Sequence, residues 1–244
     1  LYEFAYRFPF ILTFLVGEPF GRVWSVSVYE WARDPRWKEH FARVIAYLVF
    51  FLAFVGLGIS VFSDEVIEVM ARNTSFHVAA SVVPMLVLAY GLREAADFFR
   101  NVLYLSKRSG TVGRLALACA LVNIALNLLL IPAFGFVGAA WCTLLTWALY
   151  LWVCLLAQRV EYDIPLPVFP LLALLGWTVL CYEASRFVPD SSSLVRWGGN
   201  AGCIVLFLVP LAFSGYFTPE ETRLARGWLA ARLGRGTGSQ QLTQ

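Results

Sequence analysis

Four charged side chains near the start of the sequence stand where charge is expensive. Glu3 and Arg7 are four residues apart, as are Glu18 and Arg22, and both pairs lie in a mostly apolar stretch, residues 2–30. Eleven residues separate Arg7 from Glu18, about three turns of regular α-helix, so the four are predicted to share one stripe. A second set, Arg93, Glu94, Asp97 and Arg100, falls at helical spacing near the end of another apolar run. Charge at the centre of a bilayer costs about 2.5–3.5 kcal/mol on insertion scales, so such residues by default mark a substrate or ion path. Guanidinium forks match phosphate oxygens, and Arg7, Glu18, Arg22 and Arg93 are therefore the candidate binding residues, with an anionic ligand favoured. For Asp97 and Arg100, close to a basic loop, simple self-pairing is the expectation. Gly17-Glu18-Pro19, with Gly21 beyond, predicts a locally broken helix of the kind that holds substrate in transporters.

No other constellation suggests catalysis. The chain has two His, His40 in a charged loop and His77 near a boundary, and neither has Cys, His or carboxylate neighbours at ligand spacing. No metal and no catalytic residue is expected. Lys107-Arg108-Ser109-Gly110 lacks the preceding glycine of a phosphate loop. Cys119, Cys142, Cys154, Cys181 and Cys203 are unpaired in spacing and read as small apolar fillers.

The elements that must carry these residues follow from composition. Hydrophobic residues make up 59% of the chain and charged ones 14%, against about 45–50% and 25% in soluble domains. Mean hydropathy is +0.69. A soluble fold could not hide so much apolar surface, whereas a bilayer accepts it. A net charge of +3 is too small to suggest nucleic acid. Apolar runs at residues 2–30, 44–62, 76–92, 115–131, 137–157, 166–182 and 197–217 predict seven spans. They must be helices, because open strands would leave backbone groups unpaired in lipid. The fold class is thus all-α, a polytopic transmembrane bundle. Thirteen Lys/Arg lie in alternate loops and the tail, against Arg72, Arg186 and Arg196 in the others. The richer side should be cytoplasmic, with the C-terminus inside. Ser63-Asp64-Glu65 should start a short helix, and Thr218-Pro219-Glu220-Glu221 a cytoplasmic amphipathic one, so the expected division is 1–217 bundle and 218–244 helix with tail. The opening Leu1-Tyr2-Glu3 is not a signal peptide, and the expectation is that further chain precedes it.

Asn123 and Asn127, four apart, share a helical face and can hydrogen-bond to neighbouring helices. Ile131-Pro132 should end that helix, Phe134-Gly135-Phe136 form a tight turn, and the flanking spans make an antiparallel pair. Gly138-Ala139-Ala140 opens the second span with small residues that allow close approach. These positions are expected to be structural.

Three stretches carry a family resemblance: Leu1-Tyr2-Glu3-Phe4-Ala5-Tyr6-Arg7 with Trp24-Ser25-Val26-Ser27-Val28-Tyr29-Glu30; Phe62-Ser63-Asp64-Glu65-Val66-Ile67 with Ala79-Ala80 and Val82-Val83-Pro84; and Asn123-Ile124-Ala125-Leu126-Asn127 running through Pro132, Gly135 and Gly138 to Ala140. Their succession over roughly residues 1–160 resembles the C-terminal half of bacterial lipid-linked oligosaccharide flippases. These form the polysaccharide and O-antigen exporter branch of the multidrug/oligosaccharidyl-lipid/polysaccharide superfamily. Val26 stands where such proteins often carry Pro, so any kink must come from Pro9 or Pro19. The resemblance implies one lobe of a two-lobe transporter plus two extra C-terminal helices. It also implies partnership with a preceding N-terminal half, residence in the bacterial cytoplasmic membrane, and flipping of an undecaprenyl-pyrophosphate-linked sugar chain without a cofactor. It implies no enzyme activity. A cation-coupled drug antiporter of the same superfamily, or a structural membrane subunit, are the alternatives. The intramembrane Arg residues favour the first reading.

Overall fold

A computed structural model describes residues 5–70, 80–106, 109–189 and 193–213. Glu3, Arg72, His77, Lys107, Arg108 and the amphipathic helix expected after 217 lie outside these residues. So does the expected boundary at 217/218. The chain divides into two compact units, Leu1–Ile204 and Val205–Gln244. The candidate binding residues Arg7, Glu18, Arg22 and Arg93 all lie in the first.

The regular elements among the described residues are all helices, with no strand. The first membrane-length element is α1 (Arg7–Leu12), a π-helical turn (Thr13–Gly17), and α2 (Glu18–Trp31). After it come α3 (Trp37–Val61), the short α4 (Ser63–Met70), α5 (Val83–Leu105), α6 (Ser109–Glu161), α7 (Val168–Ser185) and α8 (Ser193–Phe213). Backbone conformation breaks inside α6 at Gly135, where φ is 58° and ψ −135°. Only glycine occupies that region at low cost. Counting the limbs 109–134 and 136–161 separately, seven helices of spanning length result among the described residues, as the apolar runs predict. Trp37–Val61, Gly110–Glu161 and Val168–Ser185 are long and apolar enough to cross a membrane. The second, at 52 residues and about 1.5 Å per residue, would measure far more than a ~30 Å hydrocarbon core, so folded at Gly135 it serves as two crossings.

Two boundaries differ from the sequence reading. The third span is Val83–Leu105 rather than 76–92, because Pro84 opens the helix and the charges 93–100 pair within it instead of ending it. The helix before the hairpin runs through Pro132 and turns at Gly135, so the turn belongs to the glycine and not to the proline.

α5 is the axis of the bundle. Leu86, Ala89, Ala96, Val102 and Leu103 are buried along it, packed against α3, α6 and the first helix. The first helix buries Phe8, Leu12, Val16, Trp24 and Val28 in return, a near fourfold spacing that keeps one stripe inward. Trp24 stacks on Phe98 with centroids 4.2 Å apart, and Phe41 closes the cluster at 4.5 Å from Phe98. Connections fall at two ends, as alternation of spans requires. At one, Trp37 meets Tyr162 edge-on at 5.4 Å. At the other, α4 meets the start of α8 through Glu65 and Arg196, 3.3 Å apart.

Candidate functional site

The first helix is irregular where Gly17-Glu18-Pro19 suggested. The Glu18 amide donates to the Thr13 carbonyl five residues back, closing the wider π ring. Pro19 lacks an N–H and crowds the carbonyl four residues behind it, so a regular helix could not pass here unchanged. The surplus residue has a consequence that spacing alone concealed. A one-residue insertion rotates the downstream residues by about 100° relative to a regular helix, and the stripe predicted for Arg7, Glu18 and Arg22 is broken. Glu18 and Arg22 each stand two residues from the inward positions Val16, Phe20 and Trp24, hence on the opposite face. They pair there at 3.0 Å, with side chains 49% and 81% exposed. Phe14, Val23 and Val26 are exposed with them. Arg7 is exposed on the other side of the π turn.

Arg93 belongs to a different environment. Its guanidinium lies 5.4 Å from the Tyr90 ring and 5.6 Å from Trp147, within cation–π range. It is also 4.0 Å from Asp97, which pairs at 2.7 Å with Arg100. The self-pairing expected of Asp97 and Arg100 is therefore present, and it extends to Arg93. The structure joins Glu18 with Arg22, and Arg93 with Asp97, but these are two sites on two helices.

Glu94 is the residue whose part the spacing did not reveal. It is nearly buried, and its Oε1 accepts a hydrogen bond of 2.9 Å from the Thr13 hydroxyl inside the π turn. The carboxylate fills the space beside Gly17, so that a Cβ there would collide with it. Tyr6 reaches Thr143 on α6 at 2.6 Å, and because Thr143 already donates to the Ala139 carbonyl, the phenol is the donor. A charged residue inside an apolar run, opposite a glycine in another, is a signal for such plugging only once the helices are known to be neighbours.

Asn123 and Asn127 act as polar glue across the hairpin. Asn127 donates to the Asn123 side chain at 3.0 Å, and Asn123 donates to Thr146 on the opposite limb at 2.8 Å. Gly138 abuts the Leu130 carbonyl so closely that a Cβ would strike it. Pro132 lies within the first limb.

A second polar cluster lines a cavity of about 460 Å³ between α4, α7 and the start of α8. Glu65, 2% exposed, accepts from Asn200 at 2.5 Å and pairs with Arg196, which also meets Glu68. Glu183 and Arg186 pair at 3.2 Å on the surface nearby. Among the described residues no group of His, Cys, Asp and Glu is arranged to hold a metal ion.

No protein-family model matches the chain, and no curated protein matches its sequence. Among solved structures it is similar to the lipid II flippase MurJ in its inward closed conformation, with a TM-score of 0.69 and 14% identity. The match covers 84% of this chain and 45% of that one. The chain thus spans about half the length of that structure, and at this identity what the two share is a fold, an all-helical bundle.

Proposed function

We propose that this chain forms one lobe of a flippase that moves an undecaprenyl-pyrophosphate-linked oligosaccharide across the bacterial cytoplasmic membrane for polysaccharide export. The observation that carries the reading is the Glu18–Arg22 pair, held on a helix face the bundle leaves uncovered. An Arg within a spanning helix needs an anionic partner or water, and a face turned away from its own bundle can meet both in a cavity walled by a preceding N-terminal lobe. In this reading Arg22, with Arg7 on the same helix, attracts the pyrophosphate through its fork of donors. Glu18 holds Arg22 between turnovers, and Arg93 supplies positive potential from the neighbouring α5. The likeness in fold to a lipid-linked substrate flippase supports the assignment. The C-terminus is cytoplasmic, the coupling needs no cofactor, and the chain performs no covalent chemistry.

The test uses the full-length protein in a strain lacking its own flippase, with surface polysaccharide as readout. Arg22→Ala should abolish export at unchanged membrane levels, while Arg22→Lys retains part of it. Exchanging the pair, Glu18→Arg with Arg22→Glu, would restore a merely structural couple but not a substrate site. Full export by the exchanged pair or by Arg22→Ala would overturn the proposal.

A further inference from the structure

The π turn is the place where the first helix could run in two ways. With its surplus residue in place, both flanks stay in register with α5. Tyr6 packs on Tyr90 at 6.0 Å before the turn, and Phe20 packs on Phe98 at 5.8 Å after it. Without the π ring, one flank must rotate by about 100° relative to the other. Pro19 frees a carbonyl but does not say where the extra residue goes, since a proline is equally compatible with a plain kink. Two observations locate it. The Thr13 hydroxyl, at the first residue of the turn, donates to Glu94 at 2.9 Å. The Glu94 carboxylate also occupies the notch left by Gly17, the last residue of the turn. Both ends of the π ring are therefore held by one nearly buried side chain from α5.

We propose that Glu94 is a positioning residue that clamps the π turn and so sets the rotational register of the face bearing Glu18 and Arg22. That face looks outward because the clamp adds one residue between the two inward stripes. The consequence for transport rests on the function proposed above, whereas the register itself does not. Charge is not what the clamp requires. It requires an acceptor for Thr13 and a planar group thin enough for the Gly17 notch, which glutamine also supplies. Arg93, Asp97 and Arg100 on α5, and Tyr90 one turn earlier, hold their own partners and leave Glu94 to the first helix.

The experiment reads the register directly. In full-length protein whose five buried cysteines are replaced by alanine, two cysteine pairs are made separately, Tyr6→Cys with Tyr90→Cys and Phe20→Cys with Phe98→Cys. Crosslinking by a short bifunctional maleimide in membranes is then compared across clamp variants. With native Glu94, with Glu94→Gln and with Thr13→Ser, both pairs should crosslink. With Thr13→Val, and more fully with Thr13→Val plus Glu94→Ala, the 20–98 pair should persist, anchored by the Trp24 indole N–H on the backbone carbonyl of residue 98 and by the Trp24 ring against Phe41, while the 6–90 pair falls at least fivefold. Thr13→Val is the mild variant that keeps the protein folded should the double one not survive. Undiminished crosslinking of both pairs in the Thr13→Val and double variants overturns the clamp, as does loss of the 6–90 crosslink in Glu94→Gln. Export is measured in parallel in the same clamp variants without the cysteine pairs. A shifted register with export at least tenfold reduced supports both proposals. A shifted register with export unchanged keeps the clamp and removes the Glu18–Arg22 face from the transport path.

Discussion

The Asn123 amide donates to the Thr146 hydroxyl across the hairpin of α6, at 2.8 Å, and the Thr146 hydroxyl in turn donates to the Cys142 carbonyl at 2.7 Å. The two residues lie twelve before and eleven after Gly135, which is the pairing an antiparallel turn at that glycine produces. Polar side chains buried between apolar helices hold registers that hydrophobic packing alone leaves free to slide. Substituting Asn123→Leu should lower unfolding stability in detergent by about 1 kcal/mol, close to the range for interhelical hydrogen bonds in membrane proteins. A double-mutant cycle with Thr146→Val should give a coupling of about 0.5–1.5 kcal/mol. Additive effects would show that the bond does not join the limbs.

Two glycines of the same hairpin are predicted to be irreplaceable for different reasons. Gly135 needs its left-handed backbone, so Gly135→Ala should cost about 1–3 kcal/mol through strain. Gly138 is conformationally ordinary, but its Cβ would enter the Leu130 carbonyl, and Gly138→Ala should push the limbs apart. Gly113, with nothing near its missing side chain, is the control: Gly113→Ala should be neutral or stabilise by about 0.5–1 kcal/mol. Thermal unfolding followed by tryptophan fluorescence orders the three. Equal melting temperatures for Gly135→Ala and Gly113→Ala would contradict the turn.

The hairpin was legible in the sequence because every device that makes it is local. Asn123 and Asn127 share a face by spacing, Gly135 sits where the apolar run must reverse, and Gly138 opens the next limb. Seven helices were legible for the same reason, since apolar runs of spanning length admit no other structure in lipid. The site was only half legible. Spacing put Arg7 and Glu18 on one stripe by assuming 3.6 residues per turn throughout, and the π turn between them breaks that assumption. Pro19 and Gly17 hinted at irregularity but not at its sense of rotation. Glu94 could not be matched with Thr13, 81 positions away, nor Glu65 with Arg196, because pairing between helices depends on which ones become neighbours. The apolar run of the third span stops at Leu92, short of the helix end at Leu105, because hydropathy does not register that Asp97 and Arg100 neutralise each other within it.

Orientation can be checked at residues whose ends the fold assigns. Arg36 and Asp163 lie at one end, joined by the Trp37–Tyr162 contact, and Asp64 and Phe187 at the other. The distribution of Lys and Arg predicts that the first pair faces the cytoplasm. Single cysteines at 36 and 163 should therefore stay unlabelled by an impermeant maleimide in intact cells, while those at 64 and 187 react. The reverse pattern would invert the topology. A mixed pattern within either pair would contradict the helix order itself.

The last prediction concerns the ion pair joining α4 to α8. Glu65 is 2% exposed, and its Oε1 is held by Asn200 and Arg196, while Oε2 has no hydrogen-bond partner. A buried carboxylate with half its capacity unused depends heavily on the cation beside it. Removing one partner of a buried pair typically costs about 3–5 kcal/mol, because the remaining charge is stranded. Arg196→Ala should therefore destabilise strongly, by about 3 kcal/mol given that Asn200 still donates. Arg196 also meets Glu68, whose side chain is 56% exposed, and pairs of that kind contribute about 0–1 kcal/mol. Glu68→Ala should thus be nearly silent. Replacing both partners, Glu65→Leu with Arg196→Met, should recover most of the loss, since an apolar pair of similar size strands nothing. If Arg196→Ala and Glu68→Ala unfold at the same temperature, the pair is a surface contact and α4 is not anchored through Glu65.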